Sequence, residues 1–313
     1  MTDIVKLKLG TRNSPLAMAQ AHEVRARLCA AHGWDESAVE LVPVTATGDK
    51  VQDRALADLG GKALWTKELD QWLAAGEIAI AVHSLKDVET LRPAQFVLGA
   101  ILPRADKRDR LVGASSIALI PQGATVGTSA PRRAAQLLHQ RPDCRVVLFR
   151  GNVATRLAKL AAGEADVTFL AAAGLARLGQ DGTGHALAAG DWLPAPSQGA
   201  IAVECRSDDA QTRALLAPLD HAPSRAEVMA ERALLAALGG SCHSALAVLC
   251  DFADGELAMS AALFSPDGAE RVAGEARFAA ADLAAPARLA ADLLARATPG
   301  IAAHFSGPQD DAS

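Results

Sequence analysis

Apolar runs of five to nine residues alternate with amphipathic stretches along the first two thirds of the chain. The apolar runs predict strands at 5–10, 39–46, 77–84, 124–129, 144–152, 166–174 and 200–206. The stretches between them predict helices at 14–30, 66–75, 132–140 and 153–162. Strands buried on both faces by helices have this near-continuous apolar character, so the pattern predicts an α/β fold with largely parallel sheets.

The pattern changes beyond Pro223. A long helix, about three strands and an alanine-rich helix near 279–297 predict a small α+β domain. The polar, glycine-bearing segment 47–63 predicts a mobile surface loop, and the charged stretch 102–110 predicts a crossover between domains. The tail 307–313 is predicted to be disordered.

Composition narrows the class of protein. A chain of 313 residues predicts two or three domains, and a net charge of −5 argues against general nucleic-acid binding. No apolar run approaches the roughly 20 residues that span a bilayer, and the N-terminus has no cationic-then-apolar signal pattern. The five scattered cysteines predict cytosolic thiols, and no cluster has the spacing of a metal site. We therefore expect a cytoplasmic protein with no metal and no membrane partner.

Polar side chains follow the predicted strands where each strand ends. They occur at Thr11–Ser14, His83–Asp87, Gly127–Arg133 and Arg150–Asn152, with Arg156 one turn later. Each segment then opens a helix, whose free N–H groups favour anions. Because arginines form two-pronged clamps on carboxylates and phosphates, five arginines at such positions predict a ligand with several negative charges.

Each of these residues also has a structural interpretation. A single loop arginine is most often solvated, Asp87 suits a helix N-cap as well as catalysis, and His83 suits a hydrogen-bonded scaffold role. Cys242 follows Gly239-Gly240-Ser241 directly at a helix end, and a thiol considered alone is most often buried and inert.

Six motifs together resemble the porphobilinogen deaminase family. In order along the chain they are AVHSLKDVET, VGTSAPRR, LFRGNVATRLAKL, LAAAGLARLG, PSQGAIAVECR and ERALLAALGGSC. The resemblance runs from about residue 7 to 250, with weaker support to about 300. It implies a transferase of tetrapyrrole, porphyrin and heme biosynthesis, which condenses four porphobilinogen molecules head to tail into hydroxymethylbilane with release of ammonia.

The resemblance also implies a dipyrromethane cofactor, held by a thioether to Cys242. The glycine turn would then present the sulfur to the cleft. Asp87 matches the catalytic aspartate, whose charge would stabilise the azafulvene-like cation that the loss of ammonia leaves.

The other expected contacts follow from the same matches. The resemblance implies cofactor contacts at Ser84, Lys86, Thr128, Ser129, Arg132 and Arg133. It implies substrate contacts at Arg12, Ser14, Lys62, Arg150, Gly151, Asn152, Arg156, Arg177 and Gln198. Gln198 would lie near a hinge, and Lys62 on the mobile loop.

The implied fold is two periplasmic-binding-protein-like lobes plus a smaller α+β C-terminal domain, in a monomer. The first lobe would take 1–102 with 199–219, the second 103–198, and the third domain 220–313.

Some residues depart from the family pattern. Glu89 stands where proline is usual, which predicts a less rigid loop after Asp87; Ser197 stands where glycine is usual; and the residues around Cys242 and Pro131 also differ.

Two rival functions stay open at this point. One is a binding module on the same two-lobed scaffold that captures an organic anion without chemistry. The other is an inactive member of the family with a regulatory role. The non-catalytic binding module gives no reason for Asp87 and Cys242 to occur together.

Overall fold

The computed structural model describes residues 7–44, 66–241 and 243–307. The predicted loop 47–63 with Lys62, the residue Cys242 and most of the predicted disordered tail lie outside the described residues. The chain divides into two compact units. The first holds the described residues of Met1–Gln52, Gly61–Ala105 and Gly199–Arg225, and the second holds those of Asp106–Gln198 and Ala226–Ser313. The three-domain division stays a prediction.

The described residues form strands and helices with the following bounds. The strands are β1 (Leu7–Arg12), β2 (Val39–Val44), β3 (Ile80–Ser84), β4 (Phe96–Ile101), β5 (Asp109–Val112), β6 (Thr125–Gly127), β7 (Arg145–Val147), β8 (Val167–Ala171), β9 (His185–Ala186), β10 (Ile201–Arg206), β11 (Leu246–Ala253), β12 (Glu256–Phe264) and β13 (Arg271–Ala279). The α-helices are α1 (Pro15–His32), α2 (Lys67–Ala74), α3 (Pro131–Gln140), α4 (Val153–Ala161), α5 (Ala172–Arg177), α6 (Ala210–Leu216), α7 (Ala222–Ala237), α8 (Ala285–Arg296) and α9 (Pro299–Ala302). None of these helices is long and apolar enough to cross a membrane.

The first unit contains a five-stranded sheet in the order β2-β1-β3-β10-β4. Strands β2, β1 and β3 pair in parallel, and β10 runs antiparallel to both of its neighbours. Helix α1 packs on this sheet through Ala21, Val24 and Leu28, which are spaced by about one helical turn. The parallel arrangement brings the carboxyl ends of β1 and β3 to one edge.

The second unit contains a five-stranded sheet and a three-stranded sheet. The first has the order β7-β6-β8-β5-β9, with β6 parallel to β7 and β8, and β5 antiparallel to its neighbours. The second is the antiparallel meander β11-β12-β13. Strands β6 and β8 are buried, whereas β13 alternates between buried and exposed positions. The predicted α/β class with a smaller C-terminal α+β region is confirmed.

The start of α1 illustrates how the sequence determines these elements. Ser14 accepts a hydrogen bond from the backbone N–H of Ala17 (3.3 Å), and Pro15 occupies the first helical turn. The helix ends at Gly33, whose φ of 66° is left-handed. The start predicted from Ser14-Pro15 is confirmed.

The sequence pattern was wrong about where some of the predicted strands end. The run 166–174 is a strand only to Ala171, and α5 begins at Ala172, because its alanines suit a helix as well as a strand. The charged stretch 102–110, predicted as a crossover between domains, contains the boundary between the two units at Ala105 and Asp106, and β5 begins within it at Asp109. Asp109 lies in the alternating pattern of that strand and is buried on the same face as Leu111.

Ser197 has a backbone conformation that favours glycine. Its φ is 61°, its side chain is buried, and its hydroxyl has no hydrogen-bond partner among the described residues. Its backbone N–H donates to Glu231 Oε2 (2.6 Å), which fixes the residue in this turn. A left-handed serine costs on the order of 1 kcal/mol, and a buried unpaired hydroxyl costs about 1–3 kcal/mol.

We expect Ser197→Gly to stabilise the protein, since glycine removes both the left-handed strain and the orphan hydroxyl. The greater entropy of the unfolded chain offsets part of the gain, which leaves about 1 kcal/mol. Thermal unfolding should show a midpoint higher by roughly 2 °C. Ser197→Ala, which removes the hydroxyl and keeps Cβ, should gain less. A midpoint for Ser197→Gly below that of the wild type would contradict this account.

Candidate functional site

One cavity of the first unit lies at the edge where β1 and β3 end. Four of the predicted site residues line it together: Arg12, Ser14, Ser84 and Asp87. Gln20 from α1 and His83 from β3 line it as well. Because β1 and β3 pair in parallel, side chains that follow the two strands in sequence meet at this edge. The cavity, which Thr66 also lines, thus combines a carboxylate with a guanidinium, an imidazole, three hydroxyls and an amide.

Hydrogen bonds hold the chain that carries Asp87. A 3₁₀ turn, Leu85–Asp87, follows β3, and the N–H of Leu85 donates to the carbonyl of Ala200 (3.1 Å). The side chains of Gln20 and Ser84 exchange hydrogen bonds of 2.8 and 3.1 Å. Lys86 lies in the same turn and is half-buried, but it is not among the residues that line the cavity. The N-terminal side of Asp87 is therefore anchored to the sheet and to α1.

A cluster of charged residues lies beside the cavity. Arg92 donates to Glu204 (2.9 and 2.8 Å), to Asp70 (3.2 Å) and to Glu89 (2.7 Å). His83 Nε2 lies 3.5 Å from Glu204 Oε2. Burial alone would raise the pKa of Glu204, but the hydrogen bonds and charge of Arg92, with the imidazole of His83 nearby, lower it to about 2. The carboxylates around Arg92 raise its own pKa, against the effect of burial.

The second unit presents a comparable edge where β6, β7 and β8 end. Thr128 follows β6 and is buried, and its hydroxyl accepts from the N–H of Ala130 (3.2 Å). Asn152 caps α4 by accepting from the N–H of Thr155 (2.9 Å). Arg156 Nε donates to the carbonyl of Gly151 (3.0 Å), where a φ of 110° requires glycine. The turn Arg150–Asn152 is thereby held at the start of a helix.

Arg132 and Arg133 lie in the first turn of α3 and both bind Asp109. The Arg132 Nη2 to Asp109 Oδ2 distance is 2.8 Å, and Arg133 Nη2 lies 2.7 Å from Oδ1. Arg132 also donates to the carbonyl of Leu193 (3.0 Å), and Arg133 to that of Phe169 (2.9 Å). Both guanidiniums are buried, so within this unit they serve an internal carboxylate. Their predicted contact with a cofactor stays a prediction.

Two further donors complete the surroundings of Asp109. Trp192 Nε1 donates to Asp109 Oδ2 (2.8 Å), and Gln198 Nε2 donates to Oδ1 (2.9 Å). Burial would raise the pKa of Asp109, but the two arginines and the hydrogen bond from Trp192 hold it well below its usual range. Burial lowers the pKa of Arg132. Gln198, predicted as a substrate contact near a hinge, is thus bonded to this cluster.

The remaining predicted site residues that the structure describes lie outside the cavity of the first unit and outside the Asp109 cluster. Ser129 is half-buried between Thr128 and α3, and Arg177 is the last residue of α5. Lys62 and Cys242 lie outside the described residues. The neighbours of Cys242 are described, and among them the N–H of Ser241 donates to Ser244 Oγ (2.9 Å). In the parts of the chain that the structure describes, no group of three or more His, Cys, Asp or Glu could hold a metal ion.

Sequence reasoning missed Gln20, Arg92, Asp109, Trp192 and Glu204. Two of these residues could have been found from the local pattern of apolar and polar positions in the sequence. Asp109 falls on the buried side of an alternating run, and Gln20 lies on the helix face of Ala17, Ala21 and Val24. Arg92 and Glu204 belong to a contact between residues 112 positions apart, which no local pattern reveals.

The fold and these edges define an α/β protein whose parallel strands end in cationic and hydroxyl-bearing segments. Residues 7–214 match the family model "Porphobilinogen deaminase, dipyromethane cofactor binding domain", and residues 225–296 match "Porphobilinogen deaminase, C-terminal domain". A porphobilinogen deaminase of Sphingopyxis alaskensis is 59% identical over 306 residues, which is 96% of each chain. One of Paracoccus denitrificans is 49% identical over 89% of this chain and 90% of its own. The chain belongs to the porphobilinogen deaminase family.

Solved structures resemble the chain only distantly. A substrate-binding domain of a putative amino acid ABC transporter from Streptococcus pneumoniae has a TM-score of 0.41 at 11% identity, covering 68% of this chain and 92% of its own. The periplasmic VFT2 domain of Bordetella pertussis BvgS has a TM-score of 0.38 at 17% identity, covering 70% and 88%. Likeness at this level supports no conclusion about function.

The lowered pKa of Glu204 predicts a specific loss of stability in acid. A carboxyl group whose folded pKa is depressed stabilises the protein above its unfolded pKa of about 4.5, and this contribution is lost as the pH falls towards about 2. The difference in unfolding free energy between wild type and Glu204→Gln should therefore shift by roughly 1–2 kcal/mol against the wild type between pH 6 and pH 3.5. Urea unfolding at the two pH values measures it. Glu77→Gln, at an exposed position, is the control. A constant difference across this range would disprove the assignment.

Proposed function

We propose that this protein is a transferase that condenses four porphobilinogen molecules head to tail into hydroxymethylbilane and releases ammonia at each addition. The observation that carries the proposal is family membership along nearly the whole chain, with relatives of the same name at 59% and 49% identity. The cavity of the first unit supports it, because Asp87 and Arg12 line the same space.

We propose that the resident cofactor is a dipyrromethane joined to Cys242 by a thioether. The name of the family model over residues 7–214 supports the cofactor itself. When bound, such a group supplies the nucleophilic pyrrole carbon from which the product chain grows. The residues present suit it chemically: pyrrole acid arms need cations and hydroxyls, pyrrole N–H groups need an acceptor, and the cavity of the first unit offers both.

Asp87 acts as the catalytic carboxylate in this proposal. Loss of ammonia from porphobilinogen leaves a positively charged substrate carbon framework, which an adjacent anion stabilises. A carboxylate in this position also accepts hydrogen bonds from pyrrole N–H groups and transfers protons to the leaving amine. The anchored turn at Leu85–Asp87 keeps the carboxylate in place during the reaction.

The donors around Asp87 bind the acid arms of the substrate. Arg12 offers a two-pronged guanidinium, and Ser14 and Ser84 offer hydroxyls. Further proposed contacts for cofactor and substrate are Lys62, Lys86, Thr128, Ser129, Arg132, Arg133, Arg150, Gly151, Asn152, Arg156, Arg177 and Gln198. The proposed contacts around Asn152 are supported by their position, because Asn152 lies at the N-terminus of α4 and helix N-termini favour anions.

We further propose that the protein works as a cytoplasmic monomer on a small-molecule substrate, without nucleic acid or membrane. The net charge of −5 supports the absence of a nucleic-acid partner. Size-exclusion chromatography with light scattering tests the monomer.

Intact mass spectrometry tests the tether. The purified active protein should exceed its sequence mass by two porphobilinogen units less two ammonia molecules, because each addition releases one ammonia. Cys242→Ser should have the bare sequence mass and no activity, while Cys250→Ser, which changes a buried cysteine of β11, should retain the adduct. Active wild-type protein at its bare mass would refute the covalent cofactor.

Substitution of Asp87 tests the catalytic assignment. Asp87→Asn preserves size and removes the charge, so we expect it to fold, keep the cofactor mass and lose on the order of 10²–10⁴ in turnover. Asp208→Asn, which changes a solvent-exposed carboxylate of the same unit, is the control. Hydroxymethylbilane formation by Asp87→Asn at near the wild-type rate would remove Asp87 from the mechanism.

A further inference from the structure

We propose that Glu89 and Arg92 are positioning residues for Asp87: their ion pair holds the chain on the C-terminal side of the catalytic carboxylate. The inference rests on the proposed function, since it concerns the geometry of that same reaction. It follows from the contacts of the charged cluster beside the cavity, which is made of Asp70, Glu89, Arg92 and Glu204.

Glu89 lies two residues after Asp87 and is tied at both of its oxygens. Thr66 Oγ1 lies 3.1 Å from Oε1 and 3.1 Å from Oε2. Arg92 Nη1 donates to Oε2 at 2.7 Å. A short chain segment with such a fixed side chain cannot shift without breaking a charge-assisted bond.

Arg92 connects this segment to two other elements of the first unit. It binds Asp70 on α2 and Glu204 on β10, and its side chain is only 9% exposed. Glu204 is fully buried, so the Arg92–Glu204 pair is a rigid anchor in the sheet. The Asp87 turn is thus fixed on its N-terminal side by β3 and on its C-terminal side through Arg92.

The cluster also reaches the cavity wall directly. Thr66, which donates to Glu89, and His83, which lies 3.5 Å from Glu204, both line the cavity together with Asp87. A displacement within the cluster therefore alters the walls around the carboxylate. Misplacement of a reacting group by about 1 Å is enough to lower a rate by up to about 10²-fold.

Glu89 is the member of the cluster best suited to a test. Its side chain is 22% exposed, against none for Glu204, so its charge can be removed without leaving a buried ion unpaired. Glu89→Gln keeps the size of the side chain and an acceptor for Thr66, and it removes the charged bond to Arg92. Glu23→Gln is the matched control, because Glu23 is 30% exposed and also pairs with an arginine one turn away, on α1.

The experiment compares the cofactor-loaded proteins by kcat, KM, thermal midpoint and intact mass. We expect Glu89→Gln to lower kcat about tenfold, with KM within twofold and with the cofactor mass and thermal midpoint of the Glu23→Gln control. The KM is unchanged because Arg12 and Ser14 are untouched. A lower kcat with unchanged KM, thermal midpoint and cofactor mass indicates positioning, because a purely structural role would lower the thermal midpoint or the cofactor content.

Each other result counts against the proposal. A kcat within twofold of the wild type overturns it, and so does a fall in kcat that accompanies a lower midpoint or loss of the cofactor. A wild-type protein that forms no hydroxymethylbilane overturns the proposed function and the positioning role with it. That failure appears in the wild type and is therefore distinguishable from failure of Glu89→Gln alone.

Discussion

The pairing of one buried carboxylate with two buried guanidiniums is the interaction on which the second unit depends. Asp109 accepts from Arg132, Arg133, Trp192 and Gln198, and it has no exposed surface. An ion buried in this way is tolerable only when its hydrogen-bonding capacity is filled. The cluster therefore determines where α3 begins relative to β5, and with it the position of the turn that contains Thr128 and Ser129.

The first unit has a buried ionic cluster of the opposite composition. One guanidinium, that of Arg92, faces the carboxylates of Asp70, Glu89 and Glu204, whereas Asp109 faces two guanidiniums. The cluster beside Asp87 thus carries excess negative charge, and that around Asp109 carries excess positive charge. Excess negative charge near Asp87 favours a cation in the adjacent cavity, which is the charge that develops on the substrate in the proposed reaction.

Local pattern was sufficient for most of the fold and for one edge of the site. Buried parallel strands such as β3 and β8 form continuous apolar runs, and Ser14-Pro15 marks a helix start without any tertiary information. The pattern also placed Arg12, Ser14, Ser84 and Asp87 at strand ends, and the structure brings them to one cavity. It did not reveal that Arg132 and Arg133 bind Asp109, because the partner lies more than 20 positions away in a stretch that resembled a charged linker.

Glu89 and Ser197 both depart from the expected family pattern, but in the part of the chain that the structure describes only the side chain of Glu89 makes contacts that restrain the chain. The absence of proline at 89 predicts a less rigid loop, and this stays a prediction. The structure places a carboxylate there, with bonds to Thr66 and Arg92. The ion pair of Glu89 with Arg92 thus restrains the chain at a position where a proline ring would restrict the backbone dihedral φ. At Ser197 the φ is left-handed and the hydroxyl has no partner among the described residues, so no contact of the side chain offsets the strain. A restraint made of ion pairs depends on pH, because it weakens once its carboxylates are protonated. In the proposed positioning role, the restraint on Asp87 therefore depends on ionised neighbours, as a restraint from a proline ring would not.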